Sequence, residues 1–239
     1  MIGIVDAGNT QIKAAIFDAN QLVKHAVYKG FENDLTDFFI KNNVKKVFIS
    51  SVIEIPQAFL HNNNFSIQIF NASHNLPIKN KYNSIHTLGN DRLANAVAAF
   101  MKNNQNGPVL AIDFGTCIKF DFVDQNANYL GGSISPGFQM RLKALNTFTQ
   151  KLPKIEVNEI PNLIGTSSNE SIASGVVNGI IAEVDGLISQ YVVKYPSVKV
   201  FLTGGDAPFF SNSLKNNIFA IPFLTCYGLN AIANLNGID

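Results

Sequence analysis

One pattern occurs twice in this chain and limits its fold more than any other feature. The segment IGIVDAG is followed by QIKAAIF and LVKHAVY, and the segment PVLAIDFGT by CIKFDFVD and NYLGGSI. Each set reads as three short apolar strands joined by turns, with Gly8-Asn9 and Asp18-Ala19-Asn20 supplying turn chemistry in the first set. In both sets an Asp ends the first strand in a D-x-G turn, and these two residues, Asp6 and Asp113, stand 107 positions apart in a chain of 239. A spacing near half the chain points to a duplicated architecture and not to a short-period array. The expectation is an α/β protein of two related domains, 1–106 and 107–239, parted in the loop-like stretch Asn104–Gly107.

Helical periodicity fills the spaces between the strand sets. Helices are expected around Glu32–Asn42, from near Asp91 in GNDRLANAVAAFMKN, over Gly137–Leu145, over Glu170–Tyr191 and near Tyr227–Leu235. VKKVFISSV (44–52), FSIQIF (65–70) and VKVFLTGG (198–205) read as further strands, and Asn71–Thr87 as a polar, turn-prone segment.

Composition narrows the partners. The formal net charge is +1, only 15% of residues are charged, and the nearest approach to a basic cluster is Lys45-Lys46. A nucleic-acid surface would need more than that, so no nucleic-acid partner is expected. No run approaches 18 consecutive apolar residues, and Asp6 interrupts the apolar N-terminus, so neither a membrane span nor a signal peptide is expected. Cys117 and Cys226 form no CxxC pair, and His25, His61, His74 and His86 offer no ligand spacing for zinc. A reduced, cytoplasmic setting follows. Of 18 basic residues only two are Arg, Arg92 and Arg141.

The D-x-G turns carry chemistry as well as topology. A tight turn of Gly and small polar residues presents backbone N–H groups and hydroxyls that can surround phosphate oxygens. A carboxylate at the strand end can hold a cation beside them. A third glycine feature, LTGGDA (202–207), would let a flat base lie against backbone. Neither GxxxxGK[ST] nor GxGxxG occurs, so nucleotide binding here would use two hairpins and not a P-loop or Rossmann turn. Two phosphate hairpins with an adenine-side Gly-Gly resemble the actin, sugar-kinase and heat-shock ATPase superfamily. That resemblance implies duplicated actin-like (ribonuclease H-like) domains with mixed sheets and a nucleotide cleft between them.

Gly89-Asn90-Asp91-Arg92 lies at an expected helix start. Asp91 suits an N-cap or first-turn acid, whereas a cation there opposes the helix dipole. Arg92 therefore suggests an anionic partner, and Arg suits bidentate carboxylate binding. DAGNTQIKAAIF, Tyr82 seven residues before GNDR, DFGTCIKFD and YLGGSISPGFQMRLKAL together resemble the type III pantothenate kinase family, over about Ile2 to Gly205. The resemblance implies transfer of the γ-phosphoryl group of ATP to the primary hydroxyl of pantothenate, the first step towards coenzyme A. It also implies a cytoplasmic homodimer that uses Mg²⁺ with ATP and a monovalent cation, K⁺ or NH₄⁺.

Carried over residue by residue, the resemblance makes Asp6, Ala7, Gly8, Asn9, Thr10, Gln11, Ile12 and Lys13 the first ATP-binding hairpin. Asp91 matches the proton acceptor, Gly89, Asn90, Asp91 and Arg92 the pantothenate-contacting segment, and Tyr82 a substrate-contacting tyrosine. Asp113 matches the monovalent-cation ligand and Thr116 an ATP contact. The family's later substrate threonine falls on Ser168, which keeps the hydroxyl and lacks the methyl; Cys117 stands where Ala is more usual. Two other readings share parts of this pattern: another actin-like kinase for a sugar or short acid, and a non-enzymatic transcriptional accessory protein.

Overall fold

The computed structural model describes residues 1–71 and 73–238. Strands β1 (Ile2–Ala7), β2 (Ile12–Asp18) and β3 (Gln21–Tyr28) form an antiparallel meander. Helix α1 (Asn33–Lys41) leads to β4 (Lys46–Ser51), parallel to β1, and the single turn α2 (Gln57–Leu60) leads to β5 (Ser66–Ile69), parallel to β4. After β6 (Lys79–Asn80) and α3 (Asn90–Lys102) the meander recurs as β7 (Val109–Phe114), β8 (Cys117–Val123) and β9 (Asn128–Pro136). Next come α4 (Phe138–Thr147), α5 (Ser168–Lys194), β10 (Lys199–Thr203), α6 (Ala207–Phe210), β11 (Phe219–Ala220) and α7 (Leu224–Leu235).

The sheet orders carry the duplication. One sheet runs β3-β2-β1-β4-β5 and the other β11-β10-β7-β8-β9-β6. Both place the second and third strands to one side of the first, and the two later strands to the other. In each, the strand beside the first on that second side is parallel to it, Gly3 opposite Val47 and Lys199 opposite Val109. The central strands are buried on both faces, which accounts for the unbroken apolar runs Ile2–Val5 and Val109–Ile112. β6 is the one addition, Lys79 and Asn80 pairing with Asn128 and Tyr129, inside a segment whose polarity reads only as a turn.

The chain divides into two compact units, one of Met1–Asn106, Val123–Gly131 and Phe223–Asp239, the other of Gly107–Phe122 and Gly132–Pro222. The first cut falls within Asn104–Gly107, but the units are not two contiguous halves, because the C-terminal segment belongs with the first. The reason is burial. In α7, Leu224, Cys226, Leu229 and Ile232 are fully buried, and the helix packs on α3, β1, β2 and β4. Burying such side chains is worth roughly 1.5–3 kcal/mol each. The chain enters α7 through Phe223, a non-glycine residue in the left-handed region (φ 58°), whose ring lies 4.2 Å from that of His25 on β3.

Helix α3 is buried from Arg92 to Phe100, and its small residues let α7 come close. Gly228 of α7 lies against the backbone carbonyl of Ala94, where a Cβ would overlap that oxygen. Beside this crossing, Thr225 Oγ1 donates to Asn95 Oδ1 at 2.9 Å in a buried contact.

In the second unit, α5 is long and apolar enough to span a bilayer by length and composition, although no unbroken apolar run signals it. One stripe, including Ile172, Val176, Ile180, Val184 and Ile188, is part of that unit's core with Leu110, Ile112, Phe114 and Phe120. Its acids serve folded contacts: Asp185 accepts from the Lys215 and Asn216 N–H groups, and Glu183 pairs with Arg141. α5 is therefore a core helix. Its start is capped by Ser167 Oγ, which accepts the Glu170 N–H at 3.3 Å, while Glu170 Oε2 reaches back to accept the Thr166 N–H and hydroxyl at 2.7 Å.

Overpacking a closed helix crossing costs about 1–3 kcal/mol or more. Gly228→Ala is expected to lower the melting temperature by several degrees in thermal denaturation, while Gly179→Ala on the exposed face of α5, with nothing near its would-be Cβ, does not lower it.

Candidate active site

The first hairpin is closed by the Gly8 N–H donating to Gln11 O at 3.0 Å, which leaves Asn9, Thr10 and Gln11 exposed at its tip. Antiparallel register sets Asp6 opposite Lys13, so the two side chains share one face of the sheet. Beneath them, the Cys226 thiol of α7 is pushed far up by burial and then by the Asp6 charge, with Lys13 acting in the opposite sense. The thiol is thus a neutral packing group at the base of the hairpin.

The segment expected to hold the acceptor substrate gathers in the same unit. Gly89 is the N-cap of α3, Asn90 Nδ2 donates to Phe70 O at 3.3 Å, and Asp91 Oδ1 accepts the Arg92 N–H at 2.9 Å. Asp91 is thus a first-turn acid and not the cap. Arg92 is only 5% exposed, and its guanidinium carbon lies 5.5 Å from the centre of the Tyr82 ring. A cation on a ring face is stabilised by the ring quadrupole, by up to about 2 kcal/mol when water is excluded.

Tyr82 is itself placed by three groups that sequence reasoning assigned no role. Its N–H donates to Asn80 Oδ1 at 3.0 Å, its ring lies 6.1 Å from that of Tyr129, and it covers Gly131. A Cβ on Gly131 (φ 94°) would come within 2.9 Å of the Tyr82 ring. The only sequence signal for this cradle was YLGG, in which the glycine needed by Tyr82 is indistinguishable from an ordinary strand glycine.

The second unit holds Asp113, Thr116 and Ser168. The Gly137 N–H at the N-cap of α4 donates to Thr116 O at 3.1 Å, bringing a helix N-terminus beside the exposed Thr116. Such an N-terminus is a favourable neighbour for phosphate. The Gly-Gly turn after β10 divides its work. Gly204 (φ 105°) is pressed against the Phe114 backbone where no Cβ would fit, whereas Gly205 has open space around it. Only the second glycine can thus offer bare backbone to a base. The turn is secured by the Asp206 N–H donating to Phe114 O at 3.0 Å.

Asp113 is 7% exposed, and its Oδ2 lies 2.8 Å from Lys119 Nζ. The donor set around Asp113 therefore does not fit an added monovalent cation well, because a chain ammonium already sits on that carboxylate.

Ser168 is exposed at the first position of α5, next to Ser167, which does the capping. It lines a cavity of about 1130 Å³ with Arg141, Phe148, Ile172 and Val176. Arg141 is engaged within the fold, donating through Nε to Pro136 O at 2.7 Å and pairing with Glu183 Oε2 at 2.5 Å.

The expected site residues thus form two groups. Asp6–Lys13, Tyr82 and Gly89–Arg92 belong to the first unit, and Asp113, Thr116 and Ser168 to the second. Residues 4–190 match the family model for type III pantothenate kinase. The chain belongs to the type III pantothenate kinase family. It is 41% identical to the type III pantothenate kinase of Phocaeicola vulgatus, over 98% of each chain.

Among solved structures, one from Campylobacter jejuni, titled as a Baf family transcriptional activator, aligns with TM-score 0.65 and 22% identity over 98% of each chain. A glucokinase from an Antarctic psychrotroph aligns with TM-score 0.52 and 12% identity over 98% of each chain. These likenesses show the fold, which is the duplicated actin-like architecture of the sugar kinases.

Asp206 also titrates abnormally. Burial first, and the Asp113 charge second, raise its pKa above the ordinary carboxylate range. A raised acid binds its proton more tightly in the folded state, so folding loses stability as pH rises from the ordinary Asp range through the raised value. Asp206→Asn is expected to raise the melting temperature near neutral pH, and the gain should vanish below the ordinary carboxylate range. Melting curves across pH read this directly.

Proposed function

We propose that this chain transfers the γ-phosphoryl group of MgATP to the primary hydroxyl of pantothenate, as the first step towards coenzyme A. The observation that carries the reading is the buried Arg92 held against Tyr82, one residue beyond Asp91 at the start of α3. It supplies a carboxylate-binding cation, an apolar wall and a proton acceptor within a short span. A hexose has no carboxylate for Arg92 to hold.

Phosphoryl transfer depends on positioning and charge neutralisation more than on covalent chemistry. In this reading the Asp6–Lys13 hairpin and Thr116 bind the ATP phosphates. Mg²⁺, bound with ATP, supplies charge neutralisation at the phosphate oxygens. Arg92 binds the pantothenate carboxylate, Tyr82 lines its path, and Ser168 contributes a hydroxyl. Asp91 accepts the proton of the attacking hydroxyl, a role worth roughly 10²–10⁴-fold in rate.

The cytoplasmic homodimer implied by the resemblance belongs to the same proposal. Phe148, Leu163 and Ile164 are each at least 78% exposed in the second unit, large apolar side chains that a second copy would cover. Sedimentation is expected to give a mass about twice that of the chain.

ADP release should depend on pantothenate and not on hexoses or acetate; release with a hexose alone would overturn the substrate assignment. Asp91→Asn is expected to lower kcat by about 10²-fold or more with ATP binding retained, and unchanged turnover would remove the base. Arg92→Ala should chiefly raise KM for pantothenate, and an unchanged KM would remove the clamp.

A further inference from the structure

The two D-x-G hairpins share more than their turns. In the first, register sets Asp6 opposite Lys13. In the second, the Gly115 N–H donates to Cys117 O at 3.2 Å, and counting back along both strands sets Asp113 opposite Lys119. Each hairpin therefore carries an Asp on its first strand and a Lys facing it from the second. In the second hairpin the pair is closed, Lys119 Nζ to Asp113 Oδ2 at 2.8 Å, with side chains 16% and 10% exposed.

Asp113 is the carboxylate at which the family resemblance implies K⁺ or NH₄⁺. A lysine ammonium has the same charge as either ion, and it donates hydrogen bonds as NH₄⁺ does. Burial makes the arrangement matter. A carboxylate this enclosed needs a compensating charge, and a second cation at the same oxygen would be repelled by the first. Asp206, anchored by its N–H to Phe114 O, adds another acid near Asp113, which increases the need for positive charge at this point.

We propose that Lys119 supplies from within the chain the positive charge that a monovalent cation would bring to Asp113, so that phosphoryl transfer here requires neither K⁺ nor NH₄⁺. This rests on the pantothenate kinase reading, with Lys119 acting through Asp113 as a positioning residue and a built-in counter-ion.

The test uses the full-length protein, dialysed into Tris and tetramethylammonium chloride with MgCl₂ and Tris-neutralised ATP and pantothenate. Phosphopantothenate and ADP are read directly by chromatography while KCl or NH₄Cl replaces tetramethylammonium at constant ionic strength. The wild-type rate is expected to change by less than about twofold, since a charge already in place needs no ion from solution. Lys119→Met should lose about tenfold or more without monovalent ions and regain part of that loss with K⁺ or NH₄⁺, whereas Lys119→Arg should stay insensitive to either ion.

Melting curves of each variant separate loss of fold from loss of charge. A wild-type rate that rises about tenfold or more with K⁺ would overturn the inference even if Lys119→Met does not fold. So would a folded Lys119→Met that matches wild type without monovalent ions. ADP release that ignores pantothenate at every salt composition would instead overturn the substrate reading, and this inference with it.

Discussion

The first unit depends on how closely α7 can approach α3. The crossing has no room for a side chain at Gly228, because the Ala94 carbonyl occupies that space. The contact fixes α3 along a length buried from Arg92 to Phe100, and α3 begins with Asp91 and Arg92. On its other side α7 lies against β1 and β2, with Cys226 among the groups beneath Asp6 and Lys13. One C-terminal helix thereby relates the first hairpin to the start of α3. Its position there costs local strain at Phe223, offset by burial of nearly the whole apolar face.

Charge is used sparingly in this chain and placed where burial magnifies it. Only 15% of residues are charged. Arg92 is buried against an aromatic ring, and Lys119 is enclosed with Asp113. Arg141 spans Pro136 and Glu183 within the second unit. Such placements suit a small anionic substrate and a triphosphate, each met by a few fixed groups in a low-dielectric setting.

Much of the fold was legible because its signals are local. The strands 2–7, 12–18 and 109–114 announce themselves by short apolar runs (2–5, 14–17 and 109–112), and α3 by alanines at helical spacing. Asp6, Asp113 and Asp91 were legible from strand ends and a helix start. What stayed hidden depended on partners distant in sequence. β6 is two residues long and exists only because Asn128 and Tyr129 pair with it. Gly204 and Gly205 look alike, yet only Gly204 is consumed by the Phe114 backbone. The membership of α7 could not be read from its own residues, since an apolar helix carries no label for the sheet that buries it.

By itself the sequence determined the repeated strand–turn–strand units, the acids at their turns and the family to which the chain belongs, because periodicity and motif spacing are properties of neighbouring residues. Tertiary structure alone decided which unit receives the C-terminal helix, which groups each arginine is held against, and which cation stands at Asp113. Each of these is a matter of burial and cross-strand register, and both are set by which segments meet after the chain has folded back on itself.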